Sequence, residues 1–153
     1  MTTIEELLSR DGKLVYRTRG VSMEPMLRQN RDLVILQAPV SRLQKNDVAL
    51  YRRGRDYVLH RVISVLSDGY LIRGDNTYSM ENVPEEAILG VLTGFQRKGK
   101  DHSINERGYR LYVAFWNAIY PLRHDYVRLR RVTSRIVKKT GILSLLKKVI
   151  RHG

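Results

Sequence analysis

Cysteine is absent from the chain, which removes disulfide frameworks, thiolate metal sites and a cysteine nucleophile; any covalent chemistry must use another group. Histidine is sparse. His60, His102, His124 and His152 stand far apart and lack the paired spacing of a zinc site, so no metal and no other cofactor is expected. Long apolar runs are missing too: the stretch YRLYVAFWNAIYPL is apolar over about a dozen residues, short of the ~20 of a spanning helix, and Pro121 interrupts it. The start, MTTIEELLSRDGK, carries acids and lacks the basic end and apolar centre of a secretory signal, which predicts synthesis for the cytoplasm. Acids are scarce at the other end. Residues 109–153 hold 11 Lys/Arg against 1 Asp/Glu, whereas residues 1–108 hold 17 against 14. The net charge of +13 therefore sits mostly on a tail that is a separate electrostatic object, suited to an anionic partner.

What is present fits one domain of ordinary size with an appended segment. Thr3 and Glu6 have the spacing of a capping box, and Ile4, Leu7 and Leu8 recur at helical intervals, so residues 3–10 read as a short amphipathic helix. After it, LVYRTRG, DLVILQAPV, DVALYRRG, YVLHRVISVL, YLIRGD and ILGVLTGFQ are short, rich in Val, Ile, Leu and Tyr, and bounded by turn residues. The expected fold is mainly β, a bent and partly closed sheet over residues 1–98, with the short helix before it and a helical basic tail over 109–153. In that tail Ile142, Leu143, Leu146, Val149 and Ile150 fall on one helical face with Lys147, Lys148 and Arg151 between them. Two readings of the tail stand side by side: peripheral attachment to an anionic inner membrane face, or helices packed on the sheet or a partner with a solvated basic face. Nucleic acid is disfavoured as a partner, since the tail lacks a stacking platform or a groove-reading module. The sequence sets no oligomeric state.

Two polar residues stand out. Ser22 lies in RGVSMEPML, where Gly20 permits a left-handed backbone and Pro25 pushes its predecessor out of the helical region, so the serine occupies a constrained, non-helical corner. Such a corner can hold a hydroxyl toward a substrate or be a plain turn. In YVLHRVISV strict alternation puts Val58, His60, Val62 and Ser64 on one face and Leu59, Arg61, Ile63 and Val65 on the other. His60 is then either a catalytic base or a half-buried histidine satisfied by a backbone carbonyl.

The order of the short motifs adds to this. GVSMEPML, RDLVIL, NDVALY, VLHRVI, IRGDNTYS and ILGVL follow one another over residues 20–92, and together they resemble the type I signal peptidase and LexA-type serine peptidase superfamily, whose core is a bent, mostly β fold. The resemblance implies Ser22 as nucleophile and His60 as general base, in the manner of the endoplasmic-reticulum and archaeal branch. It implies a role for Asp75 of the Gly-Asp-Asn motif, and Glu81 lies nearest the further acid of the histidine branch; either could orient His60. The glycines that the family usually has before two strands are Arg31 and Asn46 here, so the turns are expected to survive with altered geometry, more easily at Asn46 than at Arg31.

Elementary chemistry agrees. A serine hydroxyl needs an adjacent base, which a neutral imidazole can be, and a carboxylate on the other ring nitrogen fixes the tautomer. Backbone at Gly20 and the Ser22 N–H are what the corner offers a developing oxyanion. The expected activity is that of a serine endopeptidase cutting a leader or precursor peptide. The alternatives are a non-catalytic peptide-binding protein or a basic nucleic-acid-binding protein on the same fold.

Overall fold

The computed structural model describes residues 3–125. The chain divides into two compact units, Met1–Val113 and Ala114–Gly153. The first opens with α1 (Ile4–Asp11), capped by Thr3 and Glu6 in a complete capping box and closed by left-handed Gly12. Eight strands follow: β1 (Lys13–Arg17), β2 (Asp32–Gln37), β3 (Val48–Arg53), β4 (Asp56–Val65), β5 (Gly69–Arg73), β6 (Glu81–Pro84), β7 (Ile88–Arg97) and β8 (Lys100–Ser103). They form one antiparallel sheet in the order β1-β2-β7-β3-β4-β5-β6, with β8 also pairing β7. The sheet is open, and the fold is mainly β as the sequence predicts. Strands β6 and β8 are the two that the periodicity does not announce; both are short and polar.

The sheet bends because register shifts interrupt it between Ile35 and Leu36, Leu50 and Tyr51, and Val62 and Ser64. Each bulge adds local twist. Strand β3 is buried on both faces and shows the consequence. Val48 and Leu50 enter one core with Met23, Leu27, Val34, Leu36 and Leu92, while Ala49 and Tyr51 enter a second with Val62, Tyr70, Ile72 and Val83. Strand β4 keeps the expected alternation up to Val62 only. Leu59 packs on the first core and Val58 and Val62 on the second, but the bulge ends the two rows before Ser64 and Val65.

Asn46 takes a left-handed backbone, φ 81°, as expected for the residue in a glycine's place. At the other turn the left-handed residue is Asn30, φ 62°, directly before Arg31. Shifting the strained position by one residue spares the arginine. Asp32 is fully buried. Burial alone would raise its pKa, but hydrogen bonds from Arg31, the Arg28 N–H and Arg97 hold it at about 2.

Helix α2 (Arg107–Ala118) begins in the first unit, where Tyr109 and Tyr112 pack against the first core and Val113 is buried. The compact β unit thus runs past residue 98 to Val113. In the second unit the Ile119 N–H bonds the Phe115 carbonyl and the Arg123 guanidinium lies 3.7 Å over the Trp116 ring. Among the described residues no helix is long and apolar enough to cross a membrane. The amphipathic helix expected after Gly141 lies outside the described residues.

Candidate active site

Ser22 occupies a turn between β1 and β2 that is pinned from several directions. The Glu24 N–H bonds the Val21 carbonyl and the Leu27 N–H bonds the Met23 carbonyl. Met23, Met26 and Leu27 are buried in the first core, so the corner is anchored by its apolar residues while Val21 stays exposed and Ser22 half-buried. Gly20 is left-handed, φ 85°, as its place in the motif suggested. Its N–H donates to Gln29 Oε1 at 2.7 Å. That corrects the expectation of Gly20 as an oxyanion donor: its N–H is already used, so of the two backbone donors expected at the corner the Ser22 N–H is the one that remains.

The turn after β5, Gly74 to Thr77, clasps this corner. The Asn76 N–H donates to the Ser22 carbonyl at 2.7 Å, and the Asn76 side-chain amide donates to the Val21 carbonyl. Thr77 closes the turn through its hydroxyl on Gly74. Gly74 faces both halves of the site. A Cβ on it would stand 2.7 Å from the Ser22 carbonyl oxygen and 3.0 Å from His60 Nε2. Only a residue without a side chain lets the serine corner and the imidazole edge approach on this side. Gly74→Ala is therefore expected to separate them with the fold retained, and any reaction that needs both groups should slow by roughly tenfold or more. Kinetics of the purified variant beside its circular dichroism spectrum check this, and an unchanged rate would remove Gly74 from the account.

His60 sits midway along β4, opposite Ala49 of β3, with its side chain 7 % exposed. Its Nδ1 lies 3.2 Å from the Tyr51 hydroxyl and 3.8 Å from Glu81 Oε1. The partner is thus a hydroxyl, where the bland reading of the sequence had a backbone carbonyl. Burial lowers the His60 pKa below its ordinary value, Glu81 works against that, Arg53 adds to it, and Asp75 opposes it more weakly. Burial thus favours the neutral imidazole. Glu81, on β6, also accepts from Arg53 Nη1 at 2.8 Å.

The two candidate acids separate. Asp75 points away from the imidazole and takes the Arg61 guanidinium side-on, Nε to Oδ1 at 2.8 Å and Nη2 to Oδ2 at 2.7 Å. Tyr112 of α2 donates to the same carboxylate at 3.1 Å. Arg61 is 1 % exposed and reaches the Asn46 carbonyl and the Tyr109 hydroxyl as well. Despite burial, the Asp75 carboxylate and the Tyr109 hydroxyl push its pKa up. Asp75 therefore belongs to a buried ion pair behind the 74–77 turn, and Glu81 is the carboxylate beside His60.

Ser22, His60 and Glu81 line one groove of about 610 Å³, together with Gly20, Asn76 and Thr77. Its floor is apolar, with Leu27, Val34, Leu36 and Leu50. No cluster of three or more His, Asp or Glu able to hold a metal occurs among the described residues. Tyr51, Arg53 and Gly74 are the site residues that sequence reasoning missed. Tyr51 carried a readable signal. The hairpin RRGRD turns at left-handed Gly54, and counting back from its Arg53–Asp56 pair sets Ala49 opposite His60 and Tyr51 opposite Val58, diagonal to the imidazole. No protein-family model and no curated protein matches the chain.

Proposed function

We propose that the chain is a serine endopeptidase of the signal-peptidase-like type, cutting a leader or precursor peptide through an acyl-enzyme. The observation that carries this reading is the meeting at Gly74 of the Ser22 corner and the Nε2 edge of a buried His60, both on one groove. The motif order described above adds the resemblance to the superfamily.

The chemistry assigned to the site is as follows. Ser22 Oγ bonds to the scissile carbonyl carbon while its proton passes to His60 Nε2, and the carbonyl π pair moves onto oxygen. The Ser22 N–H donates to that oxyanion. Collapse of the intermediate breaks the C–N bond, and the imidazolium returns its proton to the leaving amine. Water then repeats the sequence on the acyl-serine and releases the new carboxyl terminus. Glu81 supplies the negative charge that steadies the imidazolium.

The test is the pH profile of cleavage of peptides carrying small residues at candidate cut sites, measured on the full chain and on His60→Gln. Because the neutral form is the base, the rate rises with pH through the His60 pKa, and because burial lowers that pKa the limb lies below the ordinary ~6.5 and the rate stays high at mildly alkaline pH. His60→Gln should lose roughly 10²–10⁴-fold. A glutamine variant that stays active with its acid limb unmoved would sink the assignment.

A further inference from the structure

The carboxylate beside His60 stands too far away to hold it: 3.8 Å separates Glu81 Oε1 from Nδ1, beyond hydrogen-bond range. Nearer to that nitrogen, at 3.2 Å, is the hydroxyl of Tyr51, on which the Glu81 charge also acts. The tyrosine is 2 % exposed, fixed in the second core among Val62, Tyr70 and Ile72, with its ring edge-on to the imidazole at 6.1 Å. Burial first, and the Glu81 charge next, push its pKa above the ordinary phenol value, so it keeps its proton. A carboxylate can only accept, and this one stands 3.8 Å from the nitrogen that the phenol touches, so its charge favours hydrogen on Nδ1 with the phenol oxygen as acceptor.

We propose that Tyr51 is a positioning residue of this site, passing the orientation and charge of the Arg53-bound Glu81 carboxylate to His60 and fixing the Nδ1–H tautomer that leaves Nε2 free to take the Ser22 proton. The inference rests on the peptidase reading for its catalytic meaning, but the hydrogen-bond order stands or falls independently of activity. His60 and Tyr51 pair across β4 and β3, and Glu81 of β6, held by Arg53, stands beside them. The charged groups around the imidazole are Glu81 from β6, Arg53 from β3 and, more remotely, Asp75 from the turn after β5, itself paired with Arg61 of β4.

Nitrogen-15 NMR of the imidazole in the full chain reads the tautomer directly, and it is paired with cleavage kinetics on Tyr51→Phe and Glu81→Gln. The wild type should show neutral His60 protonated at Nδ1. Tyr51→Phe removes the acceptor for that proton, so the tautomer should become mixed and kcat should fall by roughly 10–100-fold with KM within about twofold. Losing an acceptor also disfavours the imidazolium, so the acid limb should move to lower pH. Glu81→Gln should move it the same way, because the neighbouring anion is gone, and it answers the question if the phenylalanine variant does not fold. A wild-type histidine carrying its proton on Nε2 overturns the proposal outright. So does a folded Tyr51→Phe that keeps tautomer, kcat and acid limb, since the tyrosine is then only packing. Nδ1 protonation in a chain that cuts no peptide would support the tyrosine link while the peptidase reading fails.

Discussion

Ser22→Ala should reduce peptide cleavage by roughly 10⁴–10⁶-fold while leaving the fold intact. The hydroxyl is half-buried at a turn held by other atoms: the Met23, Met26 and Leu27 side chains below it and the Asn76 N–H on its carbonyl. None of these is lost in alanine. Unfolding free energies should accordingly agree within about 0.5 kcal/mol. Substrate binding should persist in the inactive variant, because the groove floor is untouched, and a bound, uncut peptide would be the expected signature. Cleavage at the wild-type rate by the alanine variant would show that another group carries the reaction.

Asp75→Ala should behave in the opposite way, acting first on stability. Removing the carboxylate leaves Arg61, 1 % exposed and always charged, without its anion, and breaking one side of a buried pair costs about 3–5 kcal/mol. The hydrogen bond from the Tyr112 hydroxyl to this carboxylate is lost too. A cost of that size is a large fraction of the stability of an ordinary domain, so urea unfolding should shift strongly or the variant should fail to accumulate. Replacing both partners, Asp75→Leu with Arg61→Met, should recover much of the loss, since a pair exchanged for apolar groups of similar size is often neutral or better. An Asp75→Ala protein of wild-type stability whose His60 acid limb has moved would instead make Asp75 the residue that orients the imidazole.

Local pattern made much of this legible in the sequence. The capping box at Thr3 and Glu6, the six apolar strand segments and the alternation around His60 follow from residue spacing, and so does the constrained corner at Ser22. Choosing between Asp75 and Glu81 did not. Both acids are within a few residues of the Gly-Asp-Asn turn, and what separates them is Arg61, whose row on β4 faces the opposite side of the strand from His60 and draws Asp75 to the rear. Alternation had already put Arg61 on that face, but nothing local says which distant carboxylate an arginine will meet. Gly74 was visible only as a turn residue, because the need for an empty Cβ position arises between two segments far apart in the chain. The bulge after Val62 was likewise hidden, since an added residue changes pairing without changing composition.

The order in which the chain is synthesised gives the ion pair at Arg61 another meaning. Ser22, His60, Asp75 and Glu81 have all left the ribosome long before the residues that cover the pair behind them. Tyr112 follows Asp75 by 37 residues and Tyr109 follows Arg61 by 48. A nascent chain that has reached β7 carries every catalytic candidate, yet the rear of its 74–77 turn still faces water where the first turns of α2 will dock. The serine corner is clasped by that same turn. Closure behind the groove is thus a contact of high sequence separation, made only once α2 has been synthesised.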